Sequence, residues 1–400
     1  MSVLREEAFI DGAWVTALRG GSFKVYNPTD GSCVGEVPSM DIDDARNAVT
    51  CAHTAFNTWS QSTAKERSDF LKSWFNEIKK NTDELARILS LESGKPLAEA
   101  TGEIAYGNSF IEWYSEEARR CYGEVLCSPF KNKQLFHIKQ PIGVAALITP
   151  WNFPMAMIAR KAGAALAAGC TCVVKPAEDT PLSSLVLAYC AEQAGLPNGV
   201  FNVVPVERSN AATVGKYLCE SPLVAGVTFT GSTTVGKLLY EQCAKGVKRI
   251  SLELGGNAPF IVFRTSDIEK AVDGAIAGKF RNCGQTCVSP NRFLIEDKIF
   301  DEFVAKLTDR IKEKLELGNP IILPQNKQRL GPLINLSQLE KVDCFVKDAV
   351  AKGAVIHCGG KLASYLTGGL FYEPTLLSNI TPNMMCYSEE IFGPVVSCVK

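Results

Sequence analysis

Val144-Ala145-Ala146-Leu147-Ile148 is a short apolar run that predicts a buried β-strand, and Trp151-Asn152-Phe153-Pro154 follows it closely. Up to residue 254, similar apolar runs alternate with segments of helical periodicity. The runs lie at 172–174, 201–204, 226–229 and 250–254, and the helical segments lie near 160–168, 182–194, 210–219 and 234–245. Such alternation predicts an α/β fold in which helices cover both faces of a parallel sheet.

Polar motifs follow four of these predicted strands. They are Trp151-Asn152, Lys175-Pro176-Ala177-Glu178, Gly231-Ser232 and Glu253. Open α/β sheets bind their ligands beyond the carboxyl ends of the strands, and these motifs lie at that point. We therefore expect a ligand site at this edge of the sheet.

The segments on either side of this region predict further parts of the fold. Residues 1–40 carry turn signals between short strands, and residues 41–120 have helical periodicity whose aromatic residues belong in a core. Residues 121–140 predict a protruding β-hairpin. A second α/β set begins near residue 258, with strands at 259–263, 292–295, 354–357 and 394–399 and helices at 268–280, 299–315 and 339–352.

Length and charge exclude several classes of protein. A chain of 400 residues exceeds one ordinary domain, so two or more cores are expected. The formal net charge is −1 and no basic block is present, so a nucleic-acid partner is not expected. No apolar run is long enough to cross a bilayer, so a membrane partner is not expected either.

The cysteines and histidines indicate which cellular compartment suits the protein and whether a metal site is expected. The fifteen cysteines include no CxxC pair, which favours a reducing compartment over a disulfide framework. The three histidines form no HExxH-like pattern, so no metal site is expected. The first residues lack a secretory or transit pattern, which predicts a cytoplasmic protein, or one of the mitochondrial matrix if an upstream presequence is missing.

The segment from Gly231 to Lys237 follows a predicted strand and opens a predicted helix. A glycine turn there lets backbone N–H groups and the helix dipole face a pyrophosphate. The segment nearly matches the P-loop pattern GxxxxGK, but Leu238 replaces the Ser or Thr that would hold magnesium, which disfavours a nucleoside triphosphatase. It also differs from GxGxxG. A tight strand-to-helix turn without a ligand remains the alternative.

Two charged residues after the predicted strand at 172–174 suit a ribose. Lys175 can donate hydrogen bonds to ribose hydroxyls, while Glu178 can accept one from a 2′-hydroxyl and repel a 2′-phosphate. Taken alone, both residues also fit solvated charges after a strand.

Cys287, Glu253 and Asn152 supply the groups needed for covalent chemistry at a carbonyl. A thiolate is a strong nucleophile, a carboxylate can activate water, and an Asn amide can stabilise an oxyanion. A single cysteine is more often a small buried apolar residue. The combination favours oxidation or acyl transfer at a carbonyl.

Four motifs together resemble the aldehyde dehydrogenase superfamily, and the resemblance spans essentially the whole chain. They are Trp151-Asn152-Phe153-Pro154, Leu252-Glu253-Leu254-Gly255-Gly256, Phe280-Arg281-Asn282-Cys283-Gly284-Gln285-Thr286-Cys287 and Glu389-Glu390-Ile391-Phe392-Gly393-Pro394. The resemblance implies the nucleophile Cys287, the general base Glu253 and an oxyanion hole that includes Asn152. It also implies cofactor contacts from Lys175 and Glu178 to the adenosine ribose, Ser232 to the pyrophosphate, Glu390 to the nicotinamide ribose, and Trp151 and Phe392 along the cleft.

Within the superfamily, the chain is most similar to the succinate-semialdehyde dehydrogenase family. The likeness implies that Arg160 and Arg281 bind the distal carboxylate of the substrate, and guanidinium forks suit carboxylates. It further implies NAD as the cofactor, with NADP as an alternative, and a role in GABA catabolism. The implied parts are a Rossmann-like NAD-binding domain (1–120 and 141–254), an oligomerisation hairpin (121–140) and a catalytic domain (255–400).

Two departures from the family pattern stand out. Ser289 replaces a second cysteine that animal members often carry two residues after the nucleophile, so redox control there is not expected. The C-terminal segment of the family is missing after Lys400. That segment completes the catalytic domain and pairs with a neighbouring subunit, so a homo-oligomer is expected if it is present.

Three alternatives to oxidation of succinate semialdehyde remain open. One is an aldehyde dehydrogenase of other or broader specificity. Another is a truncated, non-catalytic fragment that retains NAD binding. The third is a cofactor-free thiol esterase that uses Cys287.

Overall fold

A computed structural model describes residues 2–322 and 327–400 of the chain. Within these residues the backbone divides into two compact units. The first comprises Met1–Val25, Gly35–Ile88 and Thr101–Glu253, as far as the structure describes them. The second comprises Tyr26–Val34, Leu89–Ala100 and Leu254–Lys400, within the same described range.

The chain up to Glu253 contains these strands: β1 (Ala8–Ile10), β2 (Ala13–Val15), β3 (Ser22–Tyr26), β4 (Cys33–Pro38), β5 (Glu124–Leu126), β6 (Leu135–His137), β7 (Val144–Ile148), β8 (Thr171–Lys175), β9 (Phe201–Val203), β10 (Val224–Thr230) and β11 (Arg249–Glu253). It contains these helices: α1 (Ile42–Trp59), α2 (Ala64–Lys80), α3 (Thr82–Ser93), α4 (Leu97–Glu117), α5 (Pro154–Ala167), α6 (Leu182–Gln193), α7 (Arg208–Glu220) and α8 (Thr233–Ala244).

The main sheet of the first unit has the strand order β11-β10-β7-β8-β9-β1-β2. Its strands β7 to β11 run parallel, as predicted, whereas β1 pairs antiparallel with both β9 and β2 at one edge. Ile148 lies opposite Lys175, and Thr230 lies opposite Glu253. The carboxyl ends of β7, β8, β10 and β11 therefore reach the same edge of the sheet, which confirms the predicted alignment.

Aromatic side chains form part of the core of this unit, as the helical periodicity predicts. Trp74 on α2 is buried, and its indole Nε1 donates a hydrogen bond to the carbonyl O of Leu187 at 3.1 Å. Its ring lies 5.4 Å from the ring of Phe201. Burial of a side chain of this size stabilises the fold by on the order of 3 kcal/mol.

The predicted hairpin is present as the antiparallel pair of β5 and β6. Val125 lies opposite Phe136, and these two apolar side chains are 77% and 65% exposed. The hairpin therefore presents apolar surface that the first unit does not cover.

The second unit contains these strands: β12 (Pro259–Val262), β13 (Arg292–Ile295), β14 (Leu315–Leu317), β15 (Gln328–Leu330), β16 (Val355–Cys358), β17 (Thr375–Ser378) and β18 (Val395–Val399). Its helices are α9 (Ile268–Phe280), α10 (Phe300–Lys314), α11 (Leu336–Ala351) and α12 (Met385–Ser388). The larger sheet has the order β12-β13-β18-β17-β16, in which only β16 is antiparallel to its neighbour.

Helix α9 leads directly to the predicted nucleophile. Its N-cap Asp267 accepts a hydrogen bond from the backbone N–H of Lys270, a favourable way to begin a helix. Val272, Ile276 and Phe280 recur at helical spacing and pack in the core of the second unit. The helix ends at Phe280, and left-handed backbone conformations begin at Asn282.

Among residues 2–322 and 327–400, no helix combines the length and the apolar character needed to cross a bilayer.

Candidate active site

Asn152 lies in the turn between β7 and α5, and its side chain is buried. Helix α5 begins at Pro154, and its first turn receives a buried carboxylate from α4. Oε1 of Glu103 accepts hydrogen bonds from the backbone N–H groups of Met155 at 3.0 Å and Ala156 at 3.2 Å. A carboxylate stabilises the positive end of a helix, so Glu103 holds the segment that carries Asn152.

Lys175 and Glu178 follow β8, and electrostatic attraction couples their side chains. The buried Nζ of Lys175 donates a hydrogen bond to the carbonyl O of Pro176 at 2.8 Å. Burial lowers the pKa of Lys175, while Glu178 and Asp179 oppose that shift. The pair offers a hydrogen-bond donor beside an acceptor, which suits the hydroxyl groups of a sugar.

Ser232 is the N-cap of α8, because its Oγ accepts a hydrogen bond from the backbone N–H of Val235 at 3.3 Å. The preceding turn is fixed to the next strand, since the N–H of Gly231 donates to the carbonyl O of Glu253 at 3.1 Å. The residues from Ser232 to Val235 are exposed. The N-terminus of α8 is therefore open to an anionic group.

Glu253 ends β11 and lies near two cations of α5. Its Oε1 is 4.0 Å from Nη2 of Arg160, and the Arg160 guanidinium lies 5.3 Å from the ring of Phe110. Nζ of Lys161 donates a hydrogen bond to Oγ1 of Thr228 at 2.9 Å. Arg160, Lys161 and Glu253 line one cavity of about 410 Å³.

The pKa of Lys161 is shifted in this cavity. Burial lowers its pKa to about 8, an effect that Glu253 opposes and Arg160 reinforces. The sequence assigns no role to Lys161. Lys161 differs from most lysines because it is buried, and the sequence of one helix does not specify which of its lysines are buried.

We expect Lys161 to make the unfolding free energy depend on pH. Below about pH 8 the side chain is protonated in both folded and unfolded chains, so the cost of burying the charge is present. Between about pH 8 and pH 10, the unfolded chain binds the extra proton, so stability rises with pH. Relative to Lys161→Met, the wild type should gain up to roughly 3 kcal/mol over that range.

Urea unfolding of both proteins at pH 7 and pH 10 measures this gain. The exposed Lys216 supplies the control, since Lys216→Met should differ from the wild type by the same amount at both pH values. A constant difference for Lys161→Met as well would contradict the lowered pKa.

In the second unit, Cys287 is exposed and Cys283 is buried. Burial, with a contribution from the Glu99 carboxylate, raises the pKa of Cys283 far above its ordinary value. A buried thiol of this kind is unreactive, whereas an exposed one can meet a substrate. The structure therefore favours Cys287 over Cys283 as the nucleophile.

The backbone before Cys287 is strained. Asn282 has φ 50° and ψ 37°, and Cys283 has φ 55° and ψ 32°. Left-handed conformations cost about 1–2 kcal/mol for each non-glycine residue. Gly284 continues the left-handed run with φ 75°, and a Cβ there would clash with the carbonyl O of Gly393. Neighbouring groups must therefore hold this segment in place.

Glu390 and Phe392 lie in the same unit. The partly buried Glu390 accepts a hydrogen bond from the N–H of Gly256 at 3.4 Å. Burial raises the pKa of Glu390, and this N–H, Lys341 and Lys279 oppose the shift. The carbonyl O of Phe392 accepts a hydrogen bond from Nε2 of Gln338 at 2.7 Å.

The sequence-predicted site residues divide between the two units. The first unit contains Trp151, Asn152, Arg160, Lys175, Glu178, Ser232 and Glu253, and the second contains Arg281, Cys287, Glu390 and Phe392. Within the first unit, the structure brings Arg160 near Glu253 and Lys175 near Glu178. Across residues 2–322 and 327–400, no group of three or more His, Cys, Asp or Glu side chains is arranged to hold a metal ion.

Comparisons with known proteins agree with this chemistry. The sequence profile described as the aldehyde dehydrogenase family matches residues 14–400. A mitochondrial succinate-semialdehyde dehydrogenase of Rattus norvegicus is 52% identical over 398 residues, which are 100% of this chain and 75% of that protein. An NADP(+) succinate-semialdehyde dehydrogenase of Escherichia coli strain K12 is 50% identical over 98% of this chain and 80% of its own length.

A solved structure gives the same likeness at the level of the fold. The crystal structure of succinate-semialdehyde dehydrogenase from Burkholderia pseudomallei superposes with a TM-score of 0.95 at 47% identity. The match covers 100% of this chain and 81% of that one.

Proposed function

Because the chain belongs to the aldehyde dehydrogenase family, we propose that it oxidises succinate semialdehyde to succinate with NAD as the hydride acceptor. The observation that carries the proposal is the exposed Cys287, which ends the loop that contains the strained residues Asn282 and Cys283 and lies six residues beyond Arg281. The similarity to succinate-semialdehyde dehydrogenases over the whole chain supports this choice of substrate.

In the proposed reaction, the thiolate of Cys287 adds to the aldehyde carbon, and the amide of Asn152 donates to the resulting oxyanion. Bound NAD would supply the acceptor for the hydride of this carbon, and departure of the hydride leaves a thioester on Cys287. Glu253 takes a proton from water, which then attacks the thioester and releases the acid. The sum is aldehyde, NAD⁺ and water giving acid, NADH and a proton.

The cofactor proposal rests on groups of the first unit. The open N-terminus of α8 at Ser232 suits the pyrophosphate, and Lys175 with Glu178 suits the adenosine ribose. A carboxylate near the 2′ position repels a 2′-phosphate, so Glu178 favours NAD over NADP. NADP stays the alternative, since the similar Escherichia coli protein is named for it.

We also propose that the chain assembles as a homo-oligomer through the β5–β6 hairpin. The exposed apolar pair Val125 and Phe136 supports this, because monomeric proteins rarely leave such residues grouped in the open. All fifteen cysteines are present as thiols, which supports a reducing compartment such as the cytoplasm or the mitochondrial matrix.

The substrate proposal is tested at the two arginines. Arg281→Ala and Arg160→Ala should each raise the KM for succinate semialdehyde roughly 10- to 100-fold more than the KM for butanal. The physical reason is the loss of a charge-assisted hydrogen bond to the distal carboxylate, which butanal lacks. Lys should restore little, since it offers a point charge in place of a fork. Steady-state kinetics with both aldehydes measure the ratio.

Arg264 gives the matched control, because its side chain is 58% exposed, pairs with Glu296 and is not among the predicted site residues. Arg264→Ala should leave both KM values unchanged. Equal rises for succinate semialdehyde and butanal at Arg281 and Arg160 would contradict carboxylate recognition. An aldehyde dehydrogenase of other or broader specificity would then be the better account.

A further inference from the structure

The segment from Arg281 to Cys287, here called the nucleophile loop, needs support from outside itself. Asn282, Cys283 and Gly284 are consecutively left-handed, although only the last is a glycine. Contacts from Gln285 hold the later part of the loop. Its Nε2 donates to the carbonyl O of Asn282 at 3.2 Å, and its Oε1 accepts from the N–H of Ile334 at 3.0 Å.

The beginning of the loop is held by Glu99, on the first turn of α4. The backbone N–H of Asn282 donates to Oε2 of Glu99 at 2.6 Å, across 183 residues of sequence. The other oxygen, Oε1, lies 3.5 Å from Nε2 of Gln328. A hydrogen bond shielded from water is stronger than one in solvent, so this contact fixes the backbone of Asn282.

The surroundings of Glu99 show that it is held in place. Burial raises the pKa of its carboxyl group, while the N–H of Asn282, Lys95 and Arg281 all oppose that shift. The carboxylate therefore contacts the backbone N–H of Asn282 and also interacts electrostatically with Arg281. Glu99 can therefore affect the reaction through the backbone of Asn282 or through the charge of Arg281. The first route would change kcat for both aldehydes, whereas the second would change the KM for succinate semialdehyde.

We propose that Glu99 is a positioning residue for the oxidation, and that it acts by fixing the backbone of Asn282 so that the nucleophile loop presents Cys287 to the aldehyde. This rests on the proposed function, in which Cys287 is the nucleophile. The hydrogen bond to Asn282 produces this effect, and the negative charge of Glu99 does not. It acts at the first of the two strained non-glycine residues, where the chain leaves α9 and the course of the loop is set.

Three variants separate the hydrogen bond from the charge. Glu99→Gln keeps an oxygen that can accept from Asn282 and removes the charge, whereas Glu99→Ala removes both. Gln328→Ala is the matched control, since it removes only the longer contact at 3.5 Å. The turnover number is expressed per folded molecule, with the folded fraction measured by circular dichroism and urea unfolding, so that misfolded protein does not lower it.

Glu99→Ala should lower kcat roughly 10- to 100-fold for both succinate semialdehyde and butanal, with the ratio of their KM values unchanged. Glu99→Gln and Gln328→Ala should stay within about threefold of the wild type. Equal losses in Glu99→Gln and Glu99→Ala would overturn the proposal, because the charge would then matter. A change confined to the KM for succinate semialdehyde would also overturn it, in favour of an effect through Arg281.

This outcome is independent of the substrate proposal. The kcat for butanal depends on the position of Cys287 even if the physiological aldehyde carries no carboxylate. Wild-type kcat in a folded Glu99→Ala protein would show that the loop does not need this contact. Failure of the catalytic proposal itself would instead appear as turnover without Cys287.

Discussion

A Cys287→Ala variant is expected to lose aldehyde-dependent NADH formation by at least about 10⁴-fold. The thiol forms the covalent bond to the aldehyde carbon, and the alanine side chain cannot replace it. NAD binding should persist, because the proposed adenosine and pyrophosphate contacts at Lys175, Glu178 and Ser232 belong to the first unit. NADH absorbance measures turnover, and equilibrium titration of the variant with NAD measures cofactor affinity.

The control for this variant is Cys344→Ala, which removes another exposed thiol of the second unit. It should retain wild-type turnover, since Cys344 is an exposed residue of α11 that is not part of the nucleophile loop. Aldehyde oxidation by Cys287→Ala at a rate near that of the wild type would refute the covalent mechanism. Loss of NAD binding along with activity would point to a folding defect.

The exposure of Cys287 makes this prediction specific to one thiol. Cys283 is only four residues away, yet it is buried and its pKa is raised, so it cannot take over the nucleophilic role. The sequence contains both thiols in one motif, and it was the resemblance to the family that selected Cys287. The structure gives a physical reason for the same choice.

The local parts of the fold were predictable from the sequence. Strand β7 was predicted at its observed bounds, and α9 was predicted over 268–280, because strong periodicity and clear caps coincide there. Helix α5 was predicted from about residue 160, whereas it begins at Pro154. Proline is favoured at the first position of a helix, so the apolar run from Met155 to Ile158 belongs to the helix.

Short elements whose identity depends on distant neighbours were missed. Strand β17 has only four residues, and all of them are buried between β16 and β18. Its apolar run is only Leu376-Leu377, which is too short to indicate a strand by periodicity. The antiparallel edge formed by β1 and β2 was also beyond prediction, since it depends on where β9 ends the parallel series.

The candidate site shows the same division between local and distant information. Glu253 follows a predicted strand, and Ser232 follows a glycine turn, so local patterns marked both. Glu99 and Glu103 lie in an ordinary helical segment, and their partners are 183 and 52 residues away. Two carboxylates four residues apart on a helix normally indicate a solvated face, so no sequence signal separated these from surface charges.

The second large effect is expected at Glu253. Glu253→Gln should form about one equivalent of NADH rapidly and then stall, with steady-state kcat lowered roughly 10²- to 10⁴-fold. Hydride transfer precedes the attack of water, so the first half of the reaction does not need the general base. The Gln side chain keeps the size of Glu253 but cannot take a proton from water. Rapid mixing of enzyme with excess aldehyde and NAD resolves the burst from the steady state.

The position of Glu253 suits this role. Its side chain is 54% exposed at the end of β11, so water can reach the carboxylate, and the Arg160 guanidinium lies 4.0 Å away. Glu241→Gln, an exposed change on α8, is the control and should show no stall. If Glu253→Gln gave no burst at all, the carboxylate would act before hydride transfer, as the base that activates the Cys287 thiol. Iodoacetamide would then label Cys287 more slowly in the variant than in the wild type, whereas a purely hydrolytic role leaves that rate unchanged.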